Sequence, residues 1–185
     1  QVKLARSDRE REEVFKLRYE IFYKEFSQQT TKVTIDHDCY DSHADLLVIK
    51  DIERDSIVGT YRVINSDVSS DFYSASEFEI DHFLAAPEKK VELSRACIHP
   101  EYRNGRVITL LWKGLHEYLS SSQARFLFGC SSVTSTSPEE INAMIHFLTQ
   151  KGATDFPYKV LPCPSYDHSS ILSHEMKKKQ NYEYD

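Results

Sequence analysis

The chain has 185 residues, 40% apolar and 12% aromatic against 28% charged, enough for one sizeable core, which sets aside a disordered chain or a solenoid array. Its formal charge of -6 argues against general affinity for nucleic acid, which depends on Lys and Arg neutralising phosphates. The glycines at 59, 105, 114, 129 and 152 are never two, three or five apart, so neither a dinucleotide G-x-G-x-x-G nor a P-loop can be spelled.

Ser7 followed by Glu10 is a capping box, and Val14, Leu17, Ile21 and Phe22 form one apolar stripe, which predicts a first helix over 8–26. The polar stretch 27–42 reads as a loop. Residues 46–50 and 57–65 are β-branched strands joined by a charged turn, a hairpin signal. Ser74 and Glu77 cap a short helical segment ending near Ala86, and residues 90–98 form another strand. After a loop over 99–105, Val107, Leu110, Leu111, Gly114, Leu115, Tyr118 and Leu119 keep the i, i+3, i+4 pattern of a long helix. Residues 125–133 read as a strand. Ser137, Pro138 and Glu140 open a helix with the stripe Ile141, Met144, Ile145 and Leu148, stopped at Gly152, and a last strand lies near 158–161. This order describes an α/β fold, a mixed central sheet with helices on both faces, with 1–164 as a single domain and 165–185 as a polar tail.

The four cysteines form no C-x-x-C pair and a core of this size needs no disulfide staple, so a reducing cytoplasm is expected. No apolar run reaches the roughly 18 residues of a membrane span. His37, Cys39 and His43 match no common zinc spacing, and the loop beginning at Asp36 lacks the glycine and glutamate of an EF-hand, so no metal is expected.

Two arginines sit badly in a plain core. Arg18 falls within the first helix's apolar stripe, and Arg62 alternates with Val58, Thr60 and Ile64 on one strand face, so each needs an acidic partner if buried. Asp38, Asp41 and Glu92 are the candidates for Arg18. Glu92 and Arg95 are three apart on a strand and point to opposite faces unless a bulge intervenes; a bulge would align them and release backbone N–H groups able to polarise a carbonyl. Arg103, Asn104, Gly105 and Arg106 precede the long helix, whose positive end suits a phosphate. Between residues 101 and 125, four basic side chains face two acidic ones, a modest basic island.

Taken together, Leu17-Arg18-Tyr19-Glu20-Ile21-Phe22, Asp38, Asp41, Gly59-Thr60-Tyr61-Arg62, Glu92-Leu93-Ser94-Arg95, His99-Pro100 and Tyr102-Arg103 resemble the acyl-carrier-protein-dependent N-acyltransferases of the GNAT fold. That group includes bacterial long-chain N-acyl amino acid synthases, ornithine lipid N-acyltransferases and, more distantly, acyl-homoserine-lactone synthases. The segments 110–115 and 127–131 resemble the first two most, and the likeness covers about residues 10–150. It implies that Arg18, Phe22, Asp38, Asp41, Arg62, Glu92 and Arg95 belong to a charged substrate site. The GNAT phosphate loop usually reads Q/R-x-x-G-x-G/A; here Arg106 and Ile108 hold the small-residue positions, which points from a CoA donor to a phosphopantetheine arm presented by an acyl carrier protein. No separate cofactor is then needed.

The expected chemistry is aminolysis of a long-chain acyl thioester by an amino acid. Glu92 takes the amine proton through water, and strand N–H groups near Cys97 and Ile98 polarise the thioester carbonyl. One of Arg18, Arg62 or Arg95 holds the acceptor carboxylate. Trp112, Leu115, Phe126 and Phe128 are candidates for an acyl tunnel, and Cys97 reads as a buried residue rather than a nucleophile. Tyrosine is the first acceptor expected, with ornithine next, then a homoserine-lactone synthase, then a non-catalytic module that binds carrier protein.

Overall fold

The computed structural model describes residues 1–26, 34–133, 135, 137–152 and 157–166; most of the expected polar tail lies outside them. The chain opens with β1 (Val2–Leu4), a strand with no signal of its own in the sequence, followed by α1 (Asp8–Tyr19), whose Ser7 and Glu10 form the expected capping box. The predicted helix does not continue as α-helix to residue 26. It passes into a π-helix over Glu20–Phe26, which keeps helical periodicity close enough that hydrophobic pattern alone cannot tell the two apart.

A 3-10 helix (Cys39–His43) leads into β2 (Asp45–Asp51) and β3 (Ser56–Asn65), the expected hairpin. Next come β4 (Phe78–Glu79) and α2 (Asp81–Leu84). Ser74 and Glu77 therefore do not cap a helix running to Ala86: they fall at a 3-10 turn (Tyr73–Ser76) and just before β4, and α2 has Ile80 as its N-cap, with no side-chain capping hydrogen bond. β5 (Lys90–Ile98), α3 (Arg106–Ser122) and α4 (Pro138–Gln150) match expectation. β6 (Phe126–Phe128) is far shorter than the run 125–133, and β7 (Leu161–Pro162) closes a two-stranded pair with β4.

The chain gathers into two compact units, Gln1–Tyr73 with Glu88–Gly129, and Ser74–Pro87 with the residues from Cys130 onward. The first holds a five-stranded mixed sheet in the order β1-β2-β3-β5-β6, antiparallel except for the β5–β6 pair. Alternation along the strands splits its core. Leu46, Val48 and Cys97 pack under Val14 and Leu17 of α1, while Leu47, Val63 and Val91 pack under Val107, Leu111 and Leu115 of α3.

Two features of β5 position the site. Its parallel pairing with β6 covers Lys90 to Glu92 alone, and beyond that the strand faces no partner on this side among the described residues. Gly129 ends the pairing, passing so close to β5 that a Cβ there would lie 2.2 Å from the Leu93 carbonyl oxygen. Gly129→Ala is expected to cost about 1–3 kcal/mol, because backbone cannot swing aside as a side chain can. Urea denaturation measures this, and an unchanged midpoint would contradict so close an approach.

The second feature is the bulge. Thr60 pairs with Cys97 but Arg62 pairs with Ser94, so β5 carries one extra residue, and Arg95 adopts φ 51°. Val91 and Leu93 face α3 whereas Cys97 faces α1. Glu92, Ser94 and, through the extra residue, Arg95 thus share the α1 face, the alignment expected of a bulge between residues 92 and 95.

Candidate active site

Arg18 is completely buried, and its guanidinium is met by two acids. Nη1 and Nη2 donate to the two Asp41 oxygens at 2.7 and 3.1 Å, and Nε donates to Asp36 at 2.9 Å. Asp41 is among the acids expected for this arginine; Asp36 is not. The signal for it is stoichiometric: a guanidinium has five N–H donors, more than one carboxylate accepts, and Asp36 is the remaining acid of the D-x-D-x-x-D run. Local capping fixes the acids. Asp38 accepts from the Tyr40 N–H at 3.0 Å while its own N–H donates to Asp41 at 2.9 Å, a reciprocal box around the 3-10 helix. Burial pushes the Asp41 carboxyl up, but hydrogen bonds and charge from Arg18 outweigh it, so the carboxyl lies below its ordinary range.

Arg62 is likewise buried on the same sheet face. Its Nη1 donates to Asp38 at 2.5 Å, Nε donates to the Ser94 hydroxyl at 2.8 Å, and the rings of Tyr40 and Tyr73 flank the guanidinium at 5.3 and 5.9 Å. Nη2 has no hydrogen-bond partner among the described residues. Arg95 reaches Asp38 at 3.2 Å and Asp36 at 3.7 Å, under the Phe22 ring at 5.7 Å. Glu92, fully buried, accepts from the Tyr73 N–H at 2.9 Å. Arg18, Phe22, Asp38, Asp41, Arg62, Glu92 and Arg95 therefore converge on one face, joined by Asp36.

On the open edge of β5 lies a cavity of about 270 Å³ lined by Ile21, Tyr61, Ala96, Cys97, Ile98, Arg103, Ile108 and Leu111. His99 donates its N–H to the Val58 carbonyl at 2.9 Å, so by alternation Cys97 also turns its N–H toward β3, and of the two expected donors Ile98 alone turns its N–H away. The Cys97 thiol is pushed up to about 12 by burial and cannot supply a thiolate.

The 99–106 segment sits at the cavity's rim. Gly105 holds φ 88° as the N-cap of α3, a left-handed conformation suited to glycine, and Asn104 accepts from the Arg106 N–H at 3.1 Å. Arg103 is already occupied: Nε donates to the Ile98 carbonyl at 3.0 Å, and Nη1 and Nη2 donate to Glu25 at 2.5 and 2.7 Å. Arg106 is exposed. Glu25 went unmarked in the sequence because nothing local to it signals a partner 78 residues away.

The four residues expected to wall an acyl tunnel do not line this cavity. Leu115 is a core residue between α3 and the sheet, Trp112 is half exposed with its ring edge-on to Tyr61, and Phe128 packs edge-on to Phe72, with Phe126 on the same short strand. Helical periodicity marks a face but not which part of it reaches the cavity, and the lining falls to Ile108 and Leu111, on the same side of α3 but nearer its N-terminus. Among the described residues no group of three or more His, Cys, Asp or Glu side chains could hold a metal ion, and none of the helices is long and apolar enough to cross a membrane.

Residues 17–113 match the acetyltransferase (GNAT) domain family, a span that covers the charged face, the bulged strand and the cavity rim. The chain belongs to that family. Curated relatives include the L-ornithine N(alpha)-acyltransferase of Agrobacterium fabrum, 33% identical across 93% of this chain and 64% of the relative, and that of Rhizobium meliloti, 38% identical across 80% of this chain and 55% of the relative. The chain thus spans between 55% and 64% of the length of these two proteins. Among solved structures, the AHL synthase LasI is 17% identical with a TM-score of 0.53, covering 79% of this chain and 76% of that one, a likeness of fold. The mixed sheet with α1 and α3 on opposite faces is the GNAT architecture expected from the motifs.

Proposed function

We propose that this chain is an N-acyltransferase that moves a long-chain acyl group from the phosphopantetheine thioester of an acyl carrier protein to the α-amine of ornithine. The observation that carries the reading is the similarity to ornithine acyltransferases over most of this chain, and it moves the acceptor from tyrosine, the first expected, to ornithine. The charge of the site agrees. Asp36, Asp38, Asp41 and Glu92 set four carboxyl groups against the three guanidinium groups of Arg18, Arg62 and Arg95, a balance that suits an acceptor carrying an extra ammonium better than a neutral side chain.

In this reading Glu92 accepts the α-ammonium proton through water, and the free amine attacks the thioester carbon. The Ile98 N–H stabilises the oxygen as it becomes anionic. The C–S bond breaks as the amide forms, and the pantetheine sulfur leaves and takes up a proton. The buried Arg62 Nη2, without a hydrogen-bond partner among the described residues, offers a donor for the acceptor carboxylate.

The test is to supply purified protein with acyl-loaded carrier protein or acyl-CoA and, separately, ornithine, tyrosine and a mixed amino-acid pool, and to identify products by mass spectrometry. N-acylornithine formed faster from the carrier thioester is the expected result. Absence of acylated product with every acceptor overturns the enzyme reading, and preference for tyrosine overturns the acceptor.

A further inference from the structure

We propose that Glu25 is a built-in competitor for the donor's phosphate, occupying Arg103 until a phosphorylated thioester arm displaces it. The inference rests on the phosphopantetheine donor proposed above, takes Arg103 of the 103–106 segment as the contact for its phosphate, and adds how that contact is kept closed beforehand. The cavity's lining contains one guanidinium, that of Arg103, and both of its terminal nitrogens are engaged by a carboxylate in the forked geometry that a phosphate would use. Hydrogen bonding to Arg103 holds the Glu25 carboxyl below its ordinary range, so at neutral pH it remains an anion. With side chains 39% and 35% exposed, Arg103 and Glu25 form the kind of ion pair that water and an incoming anion readily exchange.

The carboxylate comes from the π-helix, a rare geometry that is frequent at functional sites. The same turn supplies Ile21 to the cavity wall and lays Phe22 over the Arg95 guanidinium. Arg103 in turn holds the Ile98 carbonyl, next to the outward N–H on the same residue. Release of Glu25 thus loosens a turn that touches both the donor cavity, through Ile21, and Arg95, through Phe22, while Arg103 keeps its hold on Ile98.

Calorimetric binding of 4'-phosphopantetheine and of unphosphorylated pantetheine, to the parent protein, Glu25→Gln and Arg103→Gln, tests this. Glu25→Gln is expected to tighten 4'-phosphopantetheine about two- to fivefold, the range that loss of an exposed ion pair supports, and to leave pantetheine unchanged. Arg103→Gln is expected to erase the difference between the two probes. Unchanged or weaker binding of the phosphorylated probe by Glu25→Gln overturns the competitor, as does equal tightening of both probes, which would mean steric blocking. Product assays with carrier-bound and CoA-bound acyl donors separate the two readings: N-acylornithine from the parent with no effect of Glu25→Gln on binding overturns this inference alone, whereas the expected binding pattern without any product overturns the function alone.

Discussion

Glu92→Gln is expected to lower kcat by about 10²–10⁴-fold with little change in KM for either substrate, the loss typical of removing a general base. The substitution is nearly isosteric, and an amide oxygen can still accept from the Tyr73 N–H that Glu92 meets at 2.9 Å, so the fold should survive. Thermal unfolding checks that survival and steady-state kinetics with the carrier thioester checks the rate. A variant that folds and turns over as the parent does would remove Glu92 from the proton path. If KM rose with kcat intact, Glu92 would be a binding group instead.

Arg18→Met carries the largest expected effect on stability. Methionine fills much of the volume but leaves Asp36 and Asp41, both buried, without their shared cation. Breaking a buried ion pair in this way costs about 3–5 kcal/mol, a large share of what holds a domain folded. Urea denaturation measures it, and the double variant Arg18→Met/Asp41→Asn should recover part of the loss because one uncompensated charge is gone. The pH dependence gives an independent sign. In the parent, the Asp41 carboxyl titrates below its unfolded value of 3.8, so its contribution is present above that pH and is lost as pH falls through the folded value. Without Arg18 the lowering influences on Asp41 shrink to the Asp38 N–H and the charge of Arg62, while burial, the largest cause, still raises the carboxyl, so the variant's deficit should shrink on mild acidification. A loss under about 1 kcal/mol, or a deficit that grows in acid, would contradict the network.

How far the sequence could be read depended on whether a signal was local. Ser7 with Glu10, the stripe of α3 and the Ser137-Pro138 start of α4 state their structure within a few residues, and each stands where expected. β1 does not: three residues become a strand because Val2 and Leu4 pair with Ile49 and Leu47, nearly half a hundred residues on. The awkward placement of Arg18 and Arg62 correctly called for acids, since an unpaired buried cation is too costly to leave, whereas the 92–95 spacing allowed a bulge without requiring one, and the structure supplies it. Asp36 was missed as a partner of Arg18 although the donor count of a guanidinium called for a second acid, and Glu25 escaped notice because its partner is fixed only by tertiary packing. The four residues expected to wall an acyl tunnel lie away from the cavity for a related reason: an apolar helix face says what is buried, and Leu115 is buried against the sheet, while the cavity is lined by Ile108 and Leu111.

The left-handed backbone at Arg95 has a consequence for engineering. At φ 51° glycine or asparagine would sit with less strain, and a chain optimised for stability alone would carry one of them there. Holding an arginine in that conformation sets the stability of the central strand against the placement of a cation. Residue 95 is therefore a position where the search for a hardier protein and the search for a faster one pull in opposite directions.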